Sequence, residues 1–319
     1  MSRRLDTLIA LYPWVQMVVF SELAAHGPFI ERAEPMPGPT EDAFREMARK
    51  HRIWLIPGSI FETRMPSGLV YNTSPVIDPD GEIIARYRKM FPFLPYETGV
   101  EPGDEFCVFD IPGVGRFGLS ICYDMWFPET SRTLAALGAE VIIHPTMTPT
   151  IDRDIELAIV RATAATNQCF FIDVNGAGDG GNGRSIFMGP MGDILYQAGD
   201  AEEMIPIEID LDRVRRSREF GLRGLGQPLK SFRDRTVEFD VYNRETGGGA
   251  YLNTLGPLVK PHRGSRVGLG PHTPDATHVS GQNNHHSASS HPPSPISPIP
   301  QPLTDTTPPA FPHDAPESR

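Results

Sequence analysis

The stretch FGLSICYDMWFPETSRTLAALGAEVIIHP, residues 117–145, holds the pattern that decides the fold. FGLSIC is an apolar run suited to a strand, and it breaks sharply at Tyr123-Asp124. Pro128 and Glu129 then open a helical pattern. Proline is preformed for a first helical position, and an acid there meets the positive end of the dipole. VIIH follows as a second β-branched run. Working outward, the same alternation predicts strands over 16–20, 53–56, 70–77, 82–87, 117–122, 141–144, 170–174, 185–188, 194–197 and 204–209. It predicts helices over 5–12, 41–51, 128–137, 152–167 and 211–219. DPDG (78–81) and PMGD (190–193) are turn chemistry between strands and predict hairpins. Strand–helix alternation mixed with hairpins implies α/β layers around a mixed sheet, and no internal repeat is present.

Charge and composition divide the chain. Of 319 residues, 29 are Lys or Arg and 40 are Asp or Glu, a net charge of −11. The 63 residues after Gly256 hold 14 of the 33 prolines and 7 of the 10 histidines, with Phe311 as their one aromatic. Their charges cancel, so the acidic surplus sits on residues 1–256, enough chain for one large domain. An acidic body argues against nucleic acid or an anionic membrane surface as partner. The densest basic stretch (Arg213, Arg215, Arg216, Arg218) reads as a solvated helix face. No apolar run approaches the roughly 20 residues needed to span a bilayer. The start, MSRRLDTLIALYPW, lacks the features of a secretory leader. Cys107, Cys122 and Cys169 form no CxxC pair and are odd in number. That fits a reducing compartment, and a cytoplasmic location is expected. Residues 263–319 are polar and proline-rich, and are expected to be disordered. Residues 236–262 are intermediate, expected to pack on the body or a partner subunit.

Candidate chemistry sits where apolar runs end. VVFSE places Glu22 just past one run, EIIARYRK places Lys89 past another, and FGLSIC ends in Cys122. In α/β proteins ligand sites form outside strand ends. Alone, Cys122 would be a small core hydrophobe, and Lys89 and Glu22 rim charges. Together they say more. The break after Cys122 is expected to expose its sulfur near a helix start, where a thiolate is favoured. Pro92 and Pro95 extend the chain between Lys89 and Glu97. An amine beside a thiol lowers its pKa, and a carboxylate can accept its proton. GAGDGGNG (176–183) imitates a dinucleotide loop, yet a strand follows it and no helix does.

Three ordered motifs, VVFSE, YRKMFPFLPYE and GLSICYDMWFPE, resemble the nitrilase superfamily of carbon–nitrogen hydrolases, with weaker matches in RATAATNQCFFIDVNGAG and GRSIFMGPMGDIL. The resemblance spans roughly residues 5–215. It implies a four-layer α-β-β-α sandwich, a hydrolase domain over 1–235, and a homodimer or higher homo-oligomer. It implies Cys122 as nucleophile, Glu22 as general base, and Lys89 with the Tyr123 N–H as oxyanion donors. Glu97 matches a second glutamate that positions substrate and water, while Trp126 and His144 fall where a substrate pocket is built. No metal or organic cofactor is implied. The expected reaction is hydrolysis of a small amide through a Cys thioester. Nitrile hydrolysis, N-carbamoyl amide hydrolysis and a catalytically degenerate binding subunit are the alternatives. Two departures stand out. The strand expected ahead of the first helix is missing, and Met125-Trp126 offers no arginine to clamp a substrate carboxylate.

Overall fold

The computed structural model describes residues 1–243, 249 and 251–261. Met1–His262 form one unit; Arg263–Arg319 form a second, and the disorder expected there lies outside the described residues.

Period-two alternation builds the centre. In β7 (Gly115–Leu119), β8 (Val141–Thr146) and β9 (Phe170–Asn175), three parallel strands, Val141, Ile143, Phe170 and Ile172 point to one face. Ile142 and Phe171 point to the other. Both faces are apolar, as expected of a parallel sheet covered on both sides. β6 (Cys107–Ile111) flanks β7, while β10 (Ile186–Met188) and β11 (Ile194–Gln197) extend the far side antiparallel. A second sheet holds β1 (Met17–Val19), β2 (Trp54–Ile56), β3 (Ile60–Arg64), β4 (Leu69–Ile77) and β5 (Ile83–Arg88). β1 and β2 are parallel, and the long β4 pairs with β2, β3 and β5.

The sheets face each other across Ile56, Val76 and Tyr87 on one side and Phe117, Phe170 and Phe187 on the other. Helices α1 (Ser2–Leu11) and α2 (Pro39–His51) cover the second sheet with Leu5, Phe44 and Met47. Helices α3 (Pro128–Ala136) and α4 (Arg153–Asn167) cover the first with Leu134, Val160 and Ala164. Four layers, α-β-β-α, result, matching the expected sandwich. Helices α5 (Asp212–Phe220) and α6 (Pro228–Arg233) follow. Both predicted hairpin turns join the expected strands, β4 to β5 and β10 to β11.

Four expectations change. β3 and β6 were not anticipated. The strand over 117–122 stops at Leu119. The strand over 204–209 does not form, although Ile205, Ile207 and Ile209 pack on the core as its alternation requires. This segment and the open edge of β1 line a groove of about 1570 Å³. Lastly, the basic residues of α5 are not simply solvated. Arg213 pairs with Asp193 at 2.6 Å, and half-buried Arg218 donates to the Ala139 carbonyl at 2.5 Å.

Candidate active site

Glu22 follows β1, and the chain there is crowded by the turn after β2. A Cβ on Gly58 would lie 1.8 Å from the Ser21 carbonyl oxygen, and Gly58 has φ of +81°, so this approach needs glycine. Lys89 follows β5, where its N–H continues the ladder to the Asn72 carbonyl at 2.8 Å. Both side chains are buried, at 2% and 1% exposure. Lys89 Nζ donates to Glu22 Oε1 at 2.9 Å and to Glu97 Oε2 at 2.9 Å. The segment 93–97 closes on itself: the Phe93 N–H donates to Glu97 Oε2 at 2.5 Å, and the Glu97 N–H to the Phe93 carbonyl at 2.9 Å.

Cys122 stands where β7 has ended, at the start of a short 3₁₀ turn (Cys122–Trp126), with φ of +48°. A non-glycine residue in that region costs of order 1–3 kcal/mol and must be held by its surroundings. Two buried side chains hold it. Asp124 accepts the Ile121 N–H at 2.9 Å and the Tyr87 hydroxyl at 2.7 Å on Oδ2, and the Phe91 N–H at 2.9 Å on Oδ1. It thereby ties the turn to the segment after Lys89. His144 Nε2 donates to the Cys122 carbonyl at 3.1 Å, which fixes its tautomer, so Nδ1 accepts from the Ser120 hydroxyl at 2.7 Å. His144 is fully buried beneath the turn. The Cys122 thiol is within hydrogen-bonding reach of the Glu22 carboxylate.

Burial pushes the Glu22 carboxyl up against the opposing pull of Lys89. Burial, with the Glu22 charge, pushes the Cys122 thiol well up against the same amine. For Lys89 burial acts downward, but Glu22, Cys122 and Glu97 outweigh it and hold the ammonium well above its ordinary value. The resting group is therefore a neutral thiol beside a basic carboxylate and a fixed ammonium. This corrects the expectation of an exposed sulfur poised as thiolate. The turn is only five residues long and Cys122 is buried, at 9% exposure, so desolvation wins over any helix-end field.

Tyr123 and Trp126 are half-buried in a ring cluster. The Tyr123 ring lies 5.0 Å from that of Phe93, 5.3 Å from Phe127 and 6.2 Å from Trp126. The Tyr123 N–H belongs to the first turn of the 3₁₀ segment, where backbone donors lack intrahelical partners. Glu129 accepts from the Tyr242 hydroxyl at 3.0 Å. Cys107 and Cys169 are core thiols whose pKa burial pushes up to about 12.

The two clamps on the turn predict opposite pH dependences. Burial pushes Asp124 up to about 6 from 3.8, so the folded chain keeps a proton the unfolded chain has lost. Its contribution, present below 3.8, is lost as pH rises to about 6. Burial pushes His144 down to about 4 from 6.5, so its contribution is present above 6.5 and lost as pH falls to about 4. Each is worth about 3 kcal/mol and they nearly offset. Denaturant unfolding of H144N between pH 4 and 7 is expected to expose the Asp124 trend, with stability falling as pH rises relative to wild type. D124N is expected to show the reverse.

A sequence profile of the carbon–nitrogen hydrolases matches residues 8–219. The chain belongs to that family. An (R)-stereoselective amidase of Pseudomonas sp is 33% identical over 228 residues, covering 68% of this chain and 81% of that protein. Omega-amidase NIT2 of Homo sapiens is 32% identical over 206 residues, 60% of this chain and 74% of that one. Among solved structures, Nit3 of Saccharomyces cerevisiae, a member of branch 10 of the nitrilase superfamily, superposes with a TM-score of 0.63 at 27% identity. That match covers 68% of this chain and 85% of Nit3.

Proposed function

We propose that the protein hydrolyses a small amide to a carboxylate and ammonia through a thioester on Cys122. One observation carries the reading: Lys89 Nζ sits 2.9 Å from both Glu22 Oε1 and Glu97 Oε2, beside the thiol that faces Glu22. Glu22 takes the thiol proton as sulfur attacks the carbonyl carbon. The ammonium of Lys89 and the Tyr123 N–H receive the oxyanion. When the C–N bond breaks, Glu22 returns that proton to the leaving ammonia. Water then enters, gives a proton to Glu22 and attacks the thioester, and the departing sulfur recovers the proton. Two acyl transfers replace one higher barrier. Glu97 holds the lysine from the far side, which leaves its ammonium paired while the acyl oxygen changes charge.

The rings of Phe93, Tyr123 and Trp126 favour a neutral acyl group. Omega-amides of dicarboxylic acids fit less well, since position 126 is tryptophan and supplies no cation. The hydrolase domain is taken to run over 1–235. Val237, Phe239 and Val241 are exposed (43% or more), which supports packing of the 236–262 extension on the partner of a homodimer. Three buried free thiols support a reducing, cytoplasmic setting. Intact-mass analysis during turnover of an amide panel is expected to find an acyl adduct on wild type and none on Cys122→Ala. Ammonia release by Cys122→Ala at the wild-type rate would overturn the assignment.

A further inference from the structure

β4 is a strand whose middle is both polar and buried: Asn72, Thr73 and Ser74 are each 0% exposed. Thr73 is accounted for by its hydrogen bond to Glu62 at 2.7 Å. Asn72 is different. Its Nδ2 donates to Glu22 Oε1 at 2.8 Å, its carbonyl accepts the Lys89 N–H at 2.8 Å, and its Oδ1 is buried without a partner among the described residues. Leaving a buried amide oxygen unmet costs its desolvation, which an apolar side chain would avoid. The residue is retained at a cost in stability, and what it touches is the proposed base.

The donors on Glu22 are divided unequally. Oε1 receives both Asn72 Nδ2 and Lys89 Nζ, while Oε2 receives neither. The terminal torsion of glutamate is broad and nearly two-fold, so Lys89 alone would not determine which oxygen it holds. A second donor on another element, fixed by the β4 ladder, removes that freedom. We infer that Asn72 is a positioning residue that reserves Oε1 of Glu22 for Lys89 and leaves Oε2 as the oxygen that takes the proton from Cys122 and then from water. Being neutral, the amide orients the carboxylate without adding a second cation that would weaken it as a base. Its backbone carbonyl sets the register of Lys89 at the same time, so one residue locates both partners of the ion pair.

This inference rests on Glu22 being the general base, and the test separates the two. Asn72→Ser draws the donor back out of reach of Glu22, and Asn72→Asp keeps the shape but places a carboxylate against Glu22. A lost hydrogen bond to the charged form raises the pKa of Glu22, and a neighbouring carboxylate raises it further. With the amide that the wild type turns over best, Asn72→Ser is expected to lower kcat by ~10–100-fold with KM changed less than about 2-fold. The acid limb of the kcat/KM profile should move up by about half a unit or more, and further in Asn72→Asp. If Asn72→Ser does not fold, the profile of Asn72→Asp decides. An unmoved acid limb in the folded variants, even with a lowered Tm, would mean that Asn72 is structural only and overturns the inference. Wild-type protein with no amide turnover and no Cys122 adduct would instead defeat the proposed function.

Discussion

Lys89→Met is expected to remove amide turnover by at least ~10³-fold and to destabilise the fold by about 3–5 kcal/mol. Both effects have one origin. The ammonium is 1% exposed and is hydrogen-bonded to two carboxylates, of which Glu22 is equally buried. Without it, a carboxylate is left in a desolvated site beside a thiol, and the oxyanion loses its charged donor. Methionine keeps the length of the stem, so the loss measures the charge and not a cavity. Lys89→Arg should recover little, because a planar guanidinium cannot replace a compact ammonium between two fixed oxygens. The stability deficit should be smaller at pH 5 than at pH 8, since burial already pushes the Glu22 carboxyl up and acid neutralises it once the opposing amine is gone. Steady-state kinetics and denaturant unfolding at those two pH values test this. A turnover loss below tenfold would remove Lys89 from the oxyanion.

Lys89, Glu22 and Cys122 were legible because each ends an apolar run, and strand ends converge on one side of a layered sheet. Glu97 was legible only through the proline-spaced segment after Lys89 and the family resemblance. The helices and the central strands were legible for a similar reason. In 141–144 and 170–174 every residue is apolar or β-branched on both faces, apart from His144 at the end of the first run and Asp173 inside the second. β3 was hidden because Glu62, Thr63 and Arg64 make it read as loop, although buried Glu62 is satisfied by Arg88 at 2.6 Å and Thr73 at 2.7 Å. The segment 204–209 failed in the opposite sense: its alternation is right and its isoleucines pack on the core, but it forms no ladder with any strand among the described residues.

The groups that support the site were missed, and each had a signal. Asn72-Thr73-Ser74 interrupts an apolar strand pattern, which marks buried polar function and not a turn. Asp124 went unremarked in the sequence, yet an acid two residues after the strained Cys122, inside the same turn, is well placed to accept the Ile121 N–H. The resemblance placed His144 where a substrate pocket is built; its hydrogen bond to the Cys122 carbonyl depends on the register between β7 and β8, which pairs Leu119 with Ile143 and is not written in either strand alone.

Arg153 carries the remaining large effect. It opens α4, where a cation opposes the helix dipole, so its position makes sense only if strong partners hold it. It is 0% exposed, and donates to Glu156 Oε2 at 3.0 Å, Asp173 Oδ2 at 2.5 Å and the Arg184 carbonyl at 2.7 Å. Those acids are in turn bonded to the end of β8 and the loop after it: Thr146 donates to Asp173 at 2.8 Å and Thr148 to Glu156 at 2.9 Å. Between the two threonines lies Met147, whose backbone hydrogen-bonds to Cys122. Arg153→Met is therefore expected to cost about 3–5 kcal/mol, because two buried carboxylates lose their common cation. Adding Glu156→Gln and Asp173→Asn to that variant should recover more than half of the loss, since amides still accept from the threonines and carry no charge. Denaturant unfolding of the single and triple variants measures both values. If the single substitution costs under about 1 kcal/mol, the cluster is not desolvated as its burial implies. If the triple variant recovers stability but not kcat, the arginine acts on the loop beside Cys122 through the charged pair itself and not through packing.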